Sequence, residues 1–179
     1  MALYSHLIVK HLRFHLGEPK VGAEVGAWIG GTTNILLRAF PKLKLYVVDP
    51  WDGGDVNNTT AVRTTPENVV LAKNTFFQKT SWAEERLTVF CMDSLLGCSK
   101  ITELLDFAFI DGDHRYEAVK ADLAAWWPKI RNGGTLIGHD YRKDVLGDIG
   151  VIEATNEFIS EHGLKLTMLS KNMYAINKD

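Results

Sequence analysis

The sequence has 179 residues, enough for one sizeable domain and too few for two of ordinary size. The net charge is −2 and the basic residues are scattered, which argues against nucleic-acid or anionic-lipid partners. No apolar run approaches the roughly 18 residues that cross a bilayer, and the first residues predict an amphipathic helix rather than a signal peptide. We therefore expect one cytoplasmic domain over residues 1–179, with no membrane partner.

Short apolar runs alternate with helical patterns along the chain. Five runs are predicted to be strands, and several lack alternation, as expected of parallel strands covered on both faces: residues 21–25, 44–49, 87–93, 105–111 and 134–140. Helices are predicted at residues 1–17, 32–40, 66–79, 115–130 and 151–162. In the third of these, one apolar face is predicted to carry Val69, Val70, Phe76 and Phe77.

Two further apolar runs, residues 164–169 and 173–177, are separated by three polar residues and predict an antiparallel hairpin. Together the elements indicate an α/β protein with a doubly wound, mostly parallel, seven-stranded sheet of Rossmann-like type, ending in that hairpin. Ligands bind such sheets outside the carboxyl ends of the strands. Candidate functional residues are therefore sought where strands end.

The first strand leads into a glycine-rich turn, "EVGAWIGGTT". Such a turn can bring backbone N–H groups up to a ligand. A dinucleotide fingerprint needs a small residue where Trp28 stands, because the backbone must approach a pyrophosphate. The turn thus favours a ligand without a pyrophosphate, with a ligand-free glycine turn as the alternative.

Acids end the next three predicted strands. Asp49 is placed to accept ribose hydroxyls, and Asp93, with Ser94, to accept the amine of an adenine. A helix cap is the alternative role for Asp93. The fourth strand ends in "FAFIDGDH", which places Asp111 and His114 directly after buried residues. Buried carboxylates are costly unless a partner, metal or ligand compensates them.

These segments carry a family resemblance: "EVGAWIGGTT", "VVDPWDG", "MDS", "FAFIDGDHRYEAVKADLAAWWPKIRNGGTLIGHDY" and "GVIEATNEF". They resemble class I S-adenosylmethionine-dependent methyltransferases, and more narrowly methyltransferase family 24, related to the metal-dependent O-methyltransferases of the catechol type. The resemblance runs from about residue 21 to residue 177, and it implies the methyltransferase form of the Rossmann-like fold.

The resemblance implies a cofactor site for S-adenosyl-L-methionine. In the family, the glycine turn lies along the methionine part, a threonine contacts its carboxylate, and acids hold the ribose and adenine. The matching positions in this sequence are Glu24, Gly26, Ala27, Trp28, Thr32, Asp49, Pro50, Trp51, Asp93, Ser94 and Asp111.

The resemblance also implies a catalytic group, His114, Asp111 and His139, and a metal site, Asp111, Asp140 and His139. Catechol-type relatives hold Mg²⁺ through oxygen ligands, whereas here "HD" ends the fifth strand. A histidine ligand would favour Mn²⁺, Fe or Zn over Mg²⁺, unless His139 only orients its neighbours. Where relatives have a lysine base, this sequence has His114, which alternatively caps the following helix or bonds Asp111.

The expected reaction is O-methylation of a small hydroxylated molecule. An NAD-dependent oxidoreductase and a catalytically inactive cofactor-binding module are the alternatives on a similar sheet. Residues 51–65 and 141–150 are predicted to be substrate-selecting loops, because they are polar and lie beside the ligand edge. Closure over the substrate is expected from these loops or from a second subunit in a homodimer.

Overall fold

The computed structural model describes residues 4–53, 65–143 and 149–179. The strands are β1 Val21–Val25, β2 Lys44–Val48, β3 Leu87–Phe90, β4 Leu105–Ile110, β5 Ile130–Gly138, β6 Leu166–Met168 and β7 Tyr174–Asn177. They form one sheet in the order β3-β2-β1-β4-β5-β7-β6. The first five strands are parallel, and β7 runs antiparallel to β5 and β6. The predicted sheet and its C-terminal hairpin are thereby confirmed.

Helices cover both faces of this sheet. They are α1 Ser5–Leu16, α2 Gly31–Ala39, α3 Pro66–Thr80, α4 Ser94–Lys100, α5 Tyr116–Trp126 and α6 Gly150–His162, with 3-10 helices at Ser81–Arg86 and Trp127–Lys129. Within the described ranges, no helix is both long and apolar enough to cross a membrane.

Side chains of β4 alternate between two cores. Phe107 and Phe109 pack with residues of α1, α2 and α3, whereas Ala108 and Ile110 pack with residues of α4, α5 and α6. The strand is therefore buried on both sides except at Asp106, and the chain becomes partly exposed again at Asp111, directly after its carboxyl end. The chain order reverses between β1 and β4, which is where sheets of this type bind ligands.

Several predicted boundaries were wrong for local reasons. The third strand stops at Phe90, because Asp93 caps α4, a short helix that the sequence pattern did not indicate. The helix predicted to reach residue 130 ends at Trp126, just before Pro128. The apolar face predicted for α3 is also partly wrong: Val69 and Phe76 are buried, whereas Val70 and Phe77 are 59% and 42% exposed.

Of the two predicted substrate loops, residues 54–64 and 144–148 lie outside the described residues.

Candidate active site

The glycine turn after β1 packs directly against the end of β4. Gly26 has a φ of +82°, and a Cβ there would lie 2.1 Å from the carbonyl oxygen of Asp111, so glycine is required. The Gly26 N–H donates to the Val48 carbonyl at 3.0 Å, and the Asp111 N–H donates to the Val25 carbonyl at 2.9 Å. The turn and the ends of β2 and β4 therefore form one connected edge.

Asp49 holds this turn in place. One carboxylate oxygen accepts the N–H groups of Ala27 (2.9 Å) and Trp28 (2.8 Å), and the other accepts the Trp51 N–H at 2.8 Å. Burial raises the pKa of Asp49, and the three hydrogen bonds oppose that rise. Because a carboxylate has about four lone-pair sites, roughly one is left for a ribose hydroxyl. Asp49 thus orders the backbone that would meet the cofactor.

Two tryptophans, one in the turn and one after β2, link the turn to its surroundings. Trp28 and Trp51 have φ angles of 50° and 47°, an uncommon conformation for bulky residues. The Trp51 ring nitrogen donates to the Trp28 carbonyl at 2.9 Å, and its ring lies 5.0 Å from that of Phe76 in α3. Trp51 is 6% exposed, so it anchors the turn to α3, whereas the adjacent Pro50 is exposed.

Glu24 is almost completely buried in β1, at 1% exposure. The Thr33 hydroxyl donates to its Oε2 at 2.6 Å. Burial raises the pKa of Glu24 to about 8 despite that hydrogen bond, and the neighbouring carboxylates of Asp111 and Asp49 add to the rise. Thr32, expected near the methionine carboxylate, has its hydroxyl 3.0 Å from that of Ser5 in α1.

On the predicted adenine side, Asp93 is the N-cap of α4. Its Oδ1 accepts the N–H groups of Leu95 (2.9 Å) and Leu96 (3.4 Å), and among the described residues none bonds Oδ2, so a ligand can do so. Ser94 Oγ accepts the ring N–H of Trp126 at 2.9 Å, a contact that ties α4 to α5. Asp93 therefore does cap a helix, as the alternative interpretation of the sequence suggested. The Ser94 hydroxyl is already bonded to a side chain of the protein.

The ends of β4 and β5 bring together the predicted metal and catalytic residues. His139 Nδ1 lies 3.2 Å from Asp111 Oδ1 and 2.9 Å from Asp140 Oδ2. His114 Nε2 lies 3.3 Å from the same Asp140 oxygen and 4.0 Å from Asp111 Oδ1. Asp111, His139 and Asp140 each offer a ligand atom, and these atoms lie within 4.8 Å of one another.

The electrostatics of this cluster follow from the crowding of two carboxylates. Burial alone would lower the pKa of His139, but hydrogen bonds and charge interactions with Asp111 and Asp140 raise it to about 9. Burial alone would raise the pKa of Asp140, yet His139, His114 and Arg142 hold it well below its usual range. An imidazolium at His139 thus neutralises carboxylate charge that a bound cation would otherwise balance.

Three residues that the sequence did not predict complete the cluster. The Tyr4 hydroxyl donates to Asp111 Oδ2 at 3.0 Å, and its ring centroid lies 4.1 Å from that of His139. Arg142 Nε donates to Asp140 Oδ1 at 2.9 Å, and Asn172 Nδ2 lies 3.3 Å from His139 Nε2. Tyr4 and Asn172 come from distant segments that carry no recognisable motif, whereas Arg142 lies two residues after the predicted ligand Asp140.

These residues fit a divalent cation in chemical type. Two carboxylates and one imidazole are donors that suit Mn²⁺, whereas an all-oxygen set would suit Mg²⁺ better. Tyr4 and Arg142 already bond the second oxygens of the two carboxylates. Such outer partners orient the ligands of metal sites.

The strand order and the acids at successive strand ends are the arrangement expected of a methyltransferase of the class that uses S-adenosylmethionine. The family described as "Methyltransferase domain", methyltransferase family 24, matches residues 23–141, more than half of the chain. The chain belongs to this family. Membership confirms the predicted class and argues against the nicotinamide alternative.

Individual relatives are distant. The chain is 22% identical over 160 residues to an uncharacterized protein of Acanthamoeba polyphaga mimivirus, covering 84% of this chain and 68% of that protein. The O-methyltransferase NovP has a TM-score of 0.71 at 18% identity, over 96% of this chain and 79% of its own. The S-adenosylhomocysteine-bound Podospora anserina methyltransferase PaMTH1 has a TM-score of 0.71 at 11% identity, over 100% and 79%. At these identities the structures show a shared fold.

Proposed function

We propose that this chain transfers the methyl group of S-adenosylmethionine to a hydroxyl of a small molecule. The observation that carries the proposal is the convergence of Asp111, His139, Asp140 and His114 at the carboxyl ends of β4 and β5. This cluster adjoins the glycine turn through the contact between Gly26 and Asp111. The name of NovP as an O-methyltransferase supports the choice of oxygen as acceptor.

In the proposed reaction, a lone pair of the substrate oxygen forms the new bond to the methyl carbon, and the carbon–sulfur bond breaks. S-adenosylhomocysteine leaves as a neutral thioether, and the hydroxyl proton passes to His114. His114 suits this role because its side chain is 45% exposed and its Nε2 lies 3.3 Å from Asp140, which orients the ring. Holding donor and acceptor in line is the remaining contribution of the site.

Asp111, Asp140 and His139 would hold a divalent cation, Mn²⁺ or Mg²⁺. When bound, such an ion lowers the pKa of a hydroxyl that it contacts. The residues of the chain orient its ligands: Tyr4 fixes Asp111, and Arg142 fixes Asp140. On the cofactor side, Asp49 orders the glycine turn, and Asp93 Oδ2 would accept a hydrogen bond from the adenine amine.

The test measures methyl transfer from labelled S-adenosylmethionine to a panel of hydroxylated metabolites. EDTA should abolish turnover, and Mn²⁺ or Mg²⁺ should restore it; Asp111→Asn should lose both the ion and activity. His114→Ala should keep cofactor binding and lose about 10²–10⁴-fold in rate, the usual span for removal of a general base.

Two results would count against parts of the proposal. Full activity in EDTA would reject the ion and leave His114 as a metal-free base, consistent with an imidazolium at His139. Absence of transfer to any hydroxyl, with S-adenosylhomocysteine still bound in calorimetry, would favour the inactive cofactor-binding module.

A further inference from the structure

A second polar cluster lies at the other end of α1 from Tyr4. His11 and His15 are four residues apart on this helix, so their side chains project from the same face. The two imidazole rings are stacked, with centroids 5.6 Å apart and planes inclined by 12°. At about 1.5 Å of rise per residue, His15 lies roughly 15 Å along the helix from Tyr4. The histidine pair is therefore separate from the active site.

The sheet supplies oxygen atoms opposite this pair. Thr135 of β5 and Asn177 of β7 are directly paired in the antiparallel register. His11 Nε2 lies 3.2 Å from Thr135 Oγ1, and the Asn177 side chain faces the same imidazole. The cluster thus combines two imidazoles, a hydroxyl and an amide.

Two atoms in this cluster are buried without a partner. Within the part of the chain that the structure describes, His15 Nε2 and Asn177 Oδ1 are the buried side-chain nitrogen and oxygen atoms that lack a hydrogen bond. Leaving a buried polar atom unpaired costs free energy. His15 stacks on the His11 ring and the Asn177 side chain faces that ring, so a small ligand beside His11 would meet both unpaired atoms.

The donor types identify this partner as a cation rather than an anion. The Thr135 hydroxyl donates to the Ile176 carbonyl at 3.4 Å, so its oxygen is placed to accept the N–H of His11 Nε2. If Nε2 donates to Thr135, Nδ1 keeps its lone pair, and this outer hydrogen bond is the usual arrangement for a metal-binding histidine. Two histidines at this helical spacing are a recurrent metal-binding pair.

We propose that His11, His15 and Asn177 bind a divalent transition-metal ion, of which Zn²⁺ and Ni²⁺ suit imidazole ligands best, at a second site that joins α1 to β7. All three residues are partly exposed, so an ion can enter from solvent. The site does not depend on the proposed reaction, because it shares no residue with the catalytic cluster.

The experiment is calorimetric titration of the full chain with Zn²⁺ in an Asp111→Asn background, which weakens the catalytic cluster as a competing site. The Asp111→Asn parent should bind one equivalent of Zn²⁺. Adding His15→Gln or His11→Gln to it should weaken that binding at least 10-fold. His6→Gln, at an exposed position on the same helix, should bind as the parent does. Co²⁺ should give a visible spectrum with nitrogen ligation that is lost in His15→Gln.

The circular dichroism spectrum and the midpoint of urea denaturation show whether each variant is folded. A parent that takes up no Zn²⁺, or His15→Gln and His11→Gln that bind like the parent, would overturn the second site and leave an ordered water as the shared partner. If the wild type binds one equivalent of Zn²⁺ that His15→Gln removes, the second site stands, and the catalytic cluster takes up no Zn²⁺ of its own.

Discussion

At the scale of single residues, Asp140 has an unusual backbone. Its φ is +54°, in the left-handed region that aspartate tolerates better than most residues. In this conformation Oδ2 contacts His139 at 2.9 Å and His114 at 3.3 Å, while Oδ1 accepts Arg142 Nε at 2.9 Å. One carboxylate thus positions the candidate base and a candidate ligand. We interpret the strained conformation as part of the site's construction.

Tyr4 is a positioning residue that can be tested separately from its ring packing. Tyr4→Phe removes the hydrogen bond to Asp111 and keeps the aromatic contact with His139. We expect the Mn²⁺ concentration for half-maximal activity to rise about 10–100-fold, the usual effect of losing an outer partner of a metal ligand. Cofactor affinity in calorimetry should stay unchanged.

Tyr116→Phe is the matched control, since that hydroxyl bonds Glu157 on the surface between α5 and α6. An unaltered Mn²⁺ dependence in Tyr4→Phe would mean that the Asp111 carboxylate is oriented without its help.

At the scale of elements, the β1–α2 turn depends on a residue of another strand. Asp49 follows β2, yet its hydrogen bonds fix Ala27 and Trp28 in the turn. The helix α2 begins after Gly30, so the same carboxylate also sets where that helix starts relative to the sheet. An acid predicted to touch ribose therefore acts first on the protein backbone.

Asp49→Asn should lower both stability and cofactor affinity. An amide presents N–H groups where the carboxylate accepts backbone N–H groups, so at least one hydrogen bond to a charged acceptor is lost, worth about 1.5–3 kcal/mol. We expect a loss of about 2 kcal/mol in the free energy of unfolding, measured by urea denaturation. S-adenosylhomocysteine binding should weaken in parallel.

Asp52→Asn is a suitable comparison, because that acid is exposed and close in sequence. If Asp49→Asn weakened the cofactor while leaving unfolding unchanged, a direct ribose contact would outweigh the role in the turn.

At the scale of the whole molecule, acids from three strands gather at one edge of the sheet. Glu24 of β1 lies near Asp49 and Asp111, and its pKa of about 8 records both its burial and their charges. The folded protein therefore retains a proton on Glu24 up to about pH 8, whereas the unfolded chain releases it near 4.5. Stability from this group is complete below pH 4.5 and is lost as pH rises through 8.

Glu24→Gln removes this titration and keeps an oxygen that can accept the Thr33 hydroxyl. Between pH 5 and pH 9, the free energy of unfolding of the variant should rise relative to that of the wild type, because only the wild type loses stability through Glu24. A gain of a few kcal/mol is expected, since one pKa unit corresponds to about 1.4 kcal/mol. Urea denaturation across this range provides the measurement, with Glu84→Gln at an exposed position as control. Parallel curves for Glu24→Gln and wild type would contradict a buried protonated Glu24.

Much of the architecture was predictable because burial leaves a local trace in sequence. The apolar runs of β1, β2 and β4 reflect strands covered on both faces, and the hairpin followed from two runs around a polar turn. The family resemblance implied that Asp111 and Asp140 share a site, and they meet because parallel strands end at one edge of the sheet. The helix α4 was not predicted at all, since a helix of 7 residues is too short to show a period.

What the sequence determined by itself was the family, the order of elements and the residue types at the strand ends. Tertiary structure alone decided which side chains meet. The hydrogen bond from Tyr4 to Asp111 spans 107 positions, and Asn172 reaches His139 only because β7 pairs with β5. Likewise, packing alone decided that Thr33 bonds Glu24 and that Thr32 lies against Ser5. Periodicity records how deeply a residue is buried, whereas its partner depends on how separate elements pack.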